Sequence, residues 1–167
     1  MSVTTLVSVE EYLRITDKPY REYRDGEVTV KAMPTKLHSL MQGRLFMLLQ
    51  RQGIDPLLEL TVRTSLTRFL VPDLVVADDF PGPYPTEPVS LCCEILSPDD
   101  RLVATLSKCE EYHAWGVPYC WVIDPVKRTA WQYHAGSDPE KVALALHAGD
   151  LSVNLDELFA ALPAGVP

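Results

Sequence analysis

Val89-Ser90-Leu91-Cys92-Cys93-Glu94-Ile95-Leu96-Ser97-Pro98 reads as a buried β-strand. It is a short apolar run, fenced by Pro88 before it and Ser97-Pro98 after it. Glu94 interrupts the run. An unpaired carboxylate in apolar surroundings costs several kcal/mol even after relaxation, so this acid is expected to be paired, protonated or metal-bound. A second acid breaks an apolar stretch upstream, Phe69-Leu70-Val71-Pro72-Asp73-Leu74-Val75-Val76-Ala77. Two carboxylates on adjacent strands suit a hard cation, because Mg²⁺ takes a few carboxylate oxygens and keeps water. The blander arrangement has Glu94 reaching solvent at a strand edge and Asp73 capping a turn. These two stretches alone leave both open.

The chain has 167 residues, enough for one domain with a substantial core. Its 47% hydrophobic and 23% charged content is ordinary for a soluble globular protein. Nothing approaches the run of about 20 apolar residues that spans a membrane. The start, Met1-Ser2-Val3-Thr4-Thr5, lacks the basic and apolar segments of a secretory signal, so a cytoplasmic location is expected. Cys92, Cys93, Cys109 and Cys120 form no Cys-x-x-Cys pair, which argues against zinc and for small core residues in a reducing compartment.

The net charge of −8 argues against tight phosphate binding by bulk electrostatics. The charge is uneven, however. Residues 1–70 carry ten Lys/Arg against eight Asp/Glu, whereas residues 71–167 carry five against fifteen. Arg21, Arg24, Lys31, Lys36, Arg44, Arg51, Arg63 and Arg68 offer a locally basic face or, being dispersed, a merely solvated one.

Ser8 and Glu11 match a capping box, so a short helix opens the domain. Asp25-Gly26 lies between two alternating segments, Tyr20–Arg24 and Glu27–Val30, which is a hairpin signal. Glu22 on the first strand reads most simply as an exposed cross-strand acid. Thr35 caps a helix running to about Gln52, with Gly53 as its stop. Its apolar face is Leu37, Leu40, Met41, Leu45, Leu48 and Leu49. His38, Gln42 and Arg44 fall off that stripe or at its edge and are expected to face water. Strands follow at about Leu57–Arg63, Ser65–Leu70 and Pro72–Ala77, then a proline-rich loop from Asp78 to Pro85.

After the Glu94 strand, helical periodicity resumes from Asp99 or Asp100 to Trp115, closed by Gly116 and Pro118. Leu102, Leu106, Cys109 and Trp115 supply its buried side. Ala104, Lys108 and Tyr112 share a separate stripe. Lys108 on such a helix is ordinarily solvated, but the strand-to-helix connection brings it near Glu94. Tyr119–Ile123 is another strand and Thr129–His134 its hairpin partner. Lys141–His147 is a further weak strand, and Asn154 and Glu157 cap a last helix, Leu155–Leu162. The reading is one α/β domain over residues 1–167, with a mostly mixed sheet and helices packed against it.

Pro72-Asp73, then Glu94-Ile95-Leu96-Ser97-Pro98, then Lys108 and Tyr112, then Gly116-Val117-Pro118-Tyr119 with Trp121-Val122-Ile123-Asp124-Pro125 together resemble the Uma family of restriction-endonuclease-like proteins. Glu22, Asp25-Gly26-Glu27 and His38 fit it too, so the resemblance covers nearly the whole chain. It implies a restriction-endonuclease-like fold within the PD-(D/E)XK nuclease superfamily. That signature is Pro-Asp, a gap, then an acid, any residue and a lysine. Here Leu96 stands in the lysine's place, and Lys108 from the following helix matches the lysine that replaces it in the family.

The resemblance implies Asp73 and Glu94 as metal ligands, with the Ile95 carbonyl as a third oxygen. Lys108 would orient or activate water, and Glu22 would be a further acid beside the metal. The expected cofactor is Mg²⁺ or Mn²⁺, the expected partner nucleic acid, DNA in particular, and the expected assembly a homodimer. Phosphodiester hydrolysis needs an activated water and neutralised charge, which a divalent ion supplies. Hard oxygen ligands suit such an ion. In one respect the chain departs from the family. An acid commonly stands four residues before the helix lysine, where this chain has Ala104. The other reading is therefore a nuclease-fold module that binds nucleic acid or protein and cleaves weakly or not at all. A thiol- or histidine-based hydrolase finds no partnered base in the sequence.

Overall fold

In the computed structural model, residues 6–160 and 162–163 are described. Ser8 accepts from the Glu11 amide while the Glu11 carboxylate takes the Ser8 amide, and this reciprocal cap starts α1 (Val9–Leu13). The hairpin follows as β1 (Arg21–Arg24) and β2 (Glu27–Val30), turning at Asp25-Gly26, both with positive φ. Thr35 caps α2 (Lys36–Gln50) by accepting from the His38 amide. Then come β3 (Leu57–Leu58), β4 (Val62–Ser65), β5 (Arg68–Leu70), β6 (Leu74–Val76) and β7 (Leu91–Ile95). The chain closes with α3 (Leu102–Trp115), β8 (Tyr119–Asp124), β9 (Thr129–His134), β10 (Glu140–Val142), β11 (Ala145–Ala148), β12 (Leu151–Asn154) and α4 (Leu155–Ala160).

The central sheet has six strands in the order β10-β9-β8-β7-β6-β3, with β7 and β8 parallel and every other pair antiparallel. A parallel pair needs a crossover, and α3 provides it. Side chains alternate across a strand, and the two helices read that alternation. Leu91, Cys93 and Ile95 of β7, with Trp121 and Ile123 of β8, pack under Met41, Leu45 and Leu49 of α2. Cys92 of β7, with Cys120 and Val122 of β8, packs under Cys109 and Tyr112 of α3. Parity puts Glu94 on the α3 side. Burying a side chain of this size stabilises by about 1.5–3 kcal/mol, so the two-sided core fixes the register of β7 firmly.

A second sheet, β2-β1-β5-β4, holds the hairpin against the chain segment that leads into β6. Tyr12, Tyr23 and Phe69 form its small aromatic core, with Tyr12 and Tyr23 rings 5.0 Å apart. β11 and β12 pair separately.

Several sequence expectations are corrected here. Leu57–Arg63 is two strands in different sheets, because the backbone turns at Glu59, whose φ is 52°. The strand expected from Pro72 begins at Leu74, since Pro72 has no amide for the ladder and the chain is crossing between sheets. Lys141–His147 likewise divides between β10 and β11, and β12 had no expected counterpart. Leu40 is exposed rather than part of the α2 core face. Asn154 caps α4 through the Glu157 amide as expected, and the expected run to Leu162 crosses position 161, outside the described residues. No helix among the described residues is long and apolar enough to cross a membrane.

Candidate functional site

Asp73 stands in the link between β5 and β6, where the chain passes from one sheet to the other. Its amide donates to the Cys93 carbonyl at 3.1 Å, and its Oδ2 accepts from the Ile95 amide at 2.6 Å. The end of β7 therefore locks the acid in place through two main-chain groups. His38, in the first turn of α2, brings Nε2 to 3.2 Å from the same Oδ2. Burial works to raise the Asp73 pKa, but the His38 hydrogen bond and the Lys31 charge hold it well below the usual carboxylate range.

Glu94 is 7% exposed in the middle of the sheet, not at an edge. Tyr112 Oη donates to its Oε1 at 2.7 Å, and Lys108 Nζ meets the same oxygen at 2.8 Å. Tyr112 follows Lys108 by one helical turn, so a single face of α3 delivers both groups. Burial pushes the Glu94 carboxyl up to about 7, against the pull of Lys108. Burial opposes the charge on Lys108, but the Glu94 and Glu22 carboxylates outweigh it and push its pKa up. A lysine with a raised pKa stays a cation at neutral pH, a fixed positive charge and hydrogen-bond donor.

Glu22 is buried, contrary to its reading as an exposed cross-strand acid, because β1 is flanked by β5 as well as β2. Its Oε1 takes Lys108 Nζ at 2.6 Å and the Val71 amide at 3.0 Å. Its Oε2 takes Arg24 at 3.1 Å. Burial works to raise its pKa, but Lys108 brings it down below the ordinary value.

All five residues expected at the site, Glu22, Asp73, Glu94, Ile95 and Lys108, line one cavity of about 840 Å³. Lys108, which an ordinary helix position would leave solvated, is drawn inward by two carboxylates beside the Glu94 strand. His38 was expected to face water and is buried, which its hydrogen bond to Asp73 explains. Two charged residues had no sequence signal as site members. Lys31, just past β2, donates to Asp73 Oδ1 at 2.8 Å, to Glu59 Oε2 at 3.1 Å and to the Val71 carbonyl at 2.9 Å. Glu59 is aimed inward by its left-handed backbone and held by Gln42, whose amide donates to Glu59 Oε1 and to the Asp73 carbonyl.

Four of the dispersed arginines are tied to acidic residues. Arg24 binds Glu111, Arg68 binds Asp25, and Arg44 and Arg51 reach Glu157 on α4. Cys92, Cys93, Cys109 and Cys120 are buried free thiols. Among the described residues, no three His, Cys, Asp or Glu side chains gather so as to hold a metal ion between them. The donor chemistry that does converge is two carboxylates beside main chain at Ile95. That set fits a hard ion which keeps several waters, and does not fit zinc.

Comparison with known proteins agrees with this architecture. A family model, Uma2, described as "Putative restriction endonuclease", matches residues 9–164. The chain superposes with a TM-score of 0.79 on the crystal structure of "a putative nuclease belonging to DUF820" from Anabaena variabilis. The two share 24% sequence identity over 92% of this chain and 98% of the other, a likeness of fold. No curated protein matches the chain.

Proposed function

This chain belongs to the Uma2 family of restriction-endonuclease-like proteins, and from that premise we propose that it is a divalent-metal-dependent nuclease hydrolysing phosphodiester bonds of DNA. The observation that carries the reading is the convergence of Asp73, Glu94 and Lys108, from three separate parts of the chain, in the lining of one cavity. Asp73 and Glu94, with the Ile95 carbonyl, would hold Mg²⁺ or Mn²⁺. When bound, such an ion supplies Lewis acidity and a water of lowered pKa.

The chain's own groups do the rest. Lys108, charged and tethered to Glu94 and Glu22, donates hydrogen bonds to a phosphate oxygen or to the attacking water. Tyr112 fixes the Glu94 carboxylate in one orientation, and the Ile95 amide and His38 fix Asp73. Such preorganisation matters because misplacement of a reacting group by about 1 Å costs on the order of a hundredfold in rate. Cutting both strands of a duplex takes two such sites, which a two-fold homodimer provides. The free cysteines suit the reducing cytoplasm as its compartment.

Calorimetric titration with Mn²⁺ tests the ligand assignment. Wild-type protein is expected to bind, and Glu94→Gln to lose binding while staying folded, since the amide oxygen still accepts from Tyr112. Equal affinity in the two proteins would remove Glu94 from the metal.

A further inference from the structure

The two lysines of the cavity are placed in matching ways. Lys108 Nζ bridges Glu94 Oε1 at 2.8 Å and Glu22 Oε1 at 2.6 Å. Lys31 Nζ bridges Asp73 Oδ1 at 2.8 Å and Glu59 Oε2 at 3.1 Å. Both donate to the Val71 carbonyl, at 3.4 Å and 2.9 Å. Each central acid thus shares one ammonium with one outer acid. The correspondence arises from convergence, because Lys108 sits on α3 and Lys31 on the strand end after β2.

The two oxygens of Asp73 are not equivalent. Oδ2 already accepts from the Ile95 amide and lies against His38, so Oδ1 is the oxygen left for a cation, and Lys31 occupies it. Acids outnumber ammoniums around the two lysines: Glu22, Glu59, Asp73 and Glu94 face Lys31 and Lys108, and Arg24 joins from the side, shared between Glu22 and Glu111. The outer anchor of Lys31 is also maintained at a cost. Glu59 adopts a left-handed backbone that a non-glycine residue rarely takes, and Gln42 clamps its carboxylate.

We propose that Lys31 is a resident counter-ion of Asp73 which a divalent ion must displace from Oδ1, so that this lysine sets the metal affinity of the site. The proposal rests on the metal-dependent reading above. Displaced from Oδ1, Lys31 retains Glu59 and the Val71 carbonyl as partners and stays in the cavity as a second ammonium. Lys31 is a positioning residue that acts through Asp73.

The test is Mn²⁺ titration calorimetry on wild type, Lys31→Met and Lys31→Gln, with melting curves recorded in EDTA. Removing a competing unit charge a few ångströms from the ion is expected to tighten Mn²⁺ binding at least about tenfold. The same variants are expected to melt below wild type in EDTA, because Asp73 and Glu59 lose their counter-ion. A merely structural lysine would lower stability and leave affinity unchanged or weaker. Affinity equal to or below that of a Mn²⁺-binding wild type overturns the role of Lys31 and leaves the metal reading standing. Absence of Mn²⁺ binding by wild type overturns both. Lys31→Gln keeps a donor for the Val71 carbonyl without the charge, so it carries the test if Lys31→Met does not fold.

Discussion

Lys108 Nζ stands 2.6 Å from Glu22 Oε1, tying the third helix to the first strand of the hairpin. This contact supplies in space what the helix lacks in sequence. Ala104, one turn before Lys108, offers the lysine no acid from its own helix, and Glu22 reaches it from another element. Glu22→Gln is therefore expected to lower cleavage on the order of tenfold to a hundredfold, the usual cost of losing an outer-shell partner. Ala104→Glu is expected to add no more than about 0.5 kcal/mol of stability, the scale of a helical ion pair, and little rate. Cleavage rates and urea melts of both variants check this. A large gain from Ala104→Glu would show that Glu22 does not fill the role.

Lys108→Met leaves Glu22 and Glu94 buried without their shared cation. Breaking a buried pair in this way costs about 3–5 kcal/mol. The loss should shrink as pH falls, because protonating either acid removes the unpaired charge. Urea denaturation of the variant at pH 8 and pH 5, in EDTA, reads this directly. Lys108→Ala is expected to abolish cleavage while retaining Mn²⁺ binding, and a fully active variant would remove the lysine from the mechanism.

His38 carries a pH signature. Burial opposes its charge, but the Asp73 hydrogen bond and carboxylate outweigh burial and raise its pKa above the ordinary value. A group whose folded pKa is raised stabilises fully below its unfolded pKa, near 6.5, and loses that contribution as pH rises through the folded value. In EDTA, wild type should therefore exceed His38→Gln in stability below about pH 6.5, the excess declining above it. Asp73 works in the opposite sense. Its depressed pKa gives stability present above about pH 3.8 and lost as pH falls through the folded value. Equilibrium unfolding across pH 3–9 separates the two. A constant difference between wild type and His38→Gln over pH 5–9 would contradict the His38–Asp73 pair.

Gly116 closes α3 with φ at 122°, and a Cβ there would meet Pro88 Cγ at 2.8 Å. Gly116→Ala combines backbone strain with a clash against ring carbon, a cost of roughly 1–3 kcal/mol for the strain alone. Its melting temperature is expected to fall, and because α3 carries Lys108 and Tyr112, its cleavage rate should fall too. An unchanged melting temperature would contradict the packing described for this turn.

Local chemistry was legible in the sequence, and inter-sheet geometry was not. The Ser8 capping box, the Asp25-Gly26 hairpin, the Thr35 cap and the Gly116 stop are written in adjacent residues, and the structure has each of them. The run around Glu94 announced a buried strand because a two-sided core needs an unbroken apolar stretch. The partners of its acids were less visible. Lys31, Glu59 and His38 look like ordinary surface residues until β1, β2 and α2 fold over the crossing at Val71–Asp73. No periodicity records that Glu59 turns inward on a left-handed backbone. His38 lies beside the apolar stripe of α2, and its burial follows only from where Asp73 comes to rest.

The most direct test of the central claim is cleavage of plasmid and single-stranded DNA with Mg²⁺ or Mn²⁺, wild type beside Glu94→Gln and beside wild type in EDTA. Wild type is expected to cut with metal and not in EDTA, and the variant is expected not to cut. Cutting that persists in Glu94→Gln or in EDTA, or no cutting by a wild type that binds the metal, would contradict that claim.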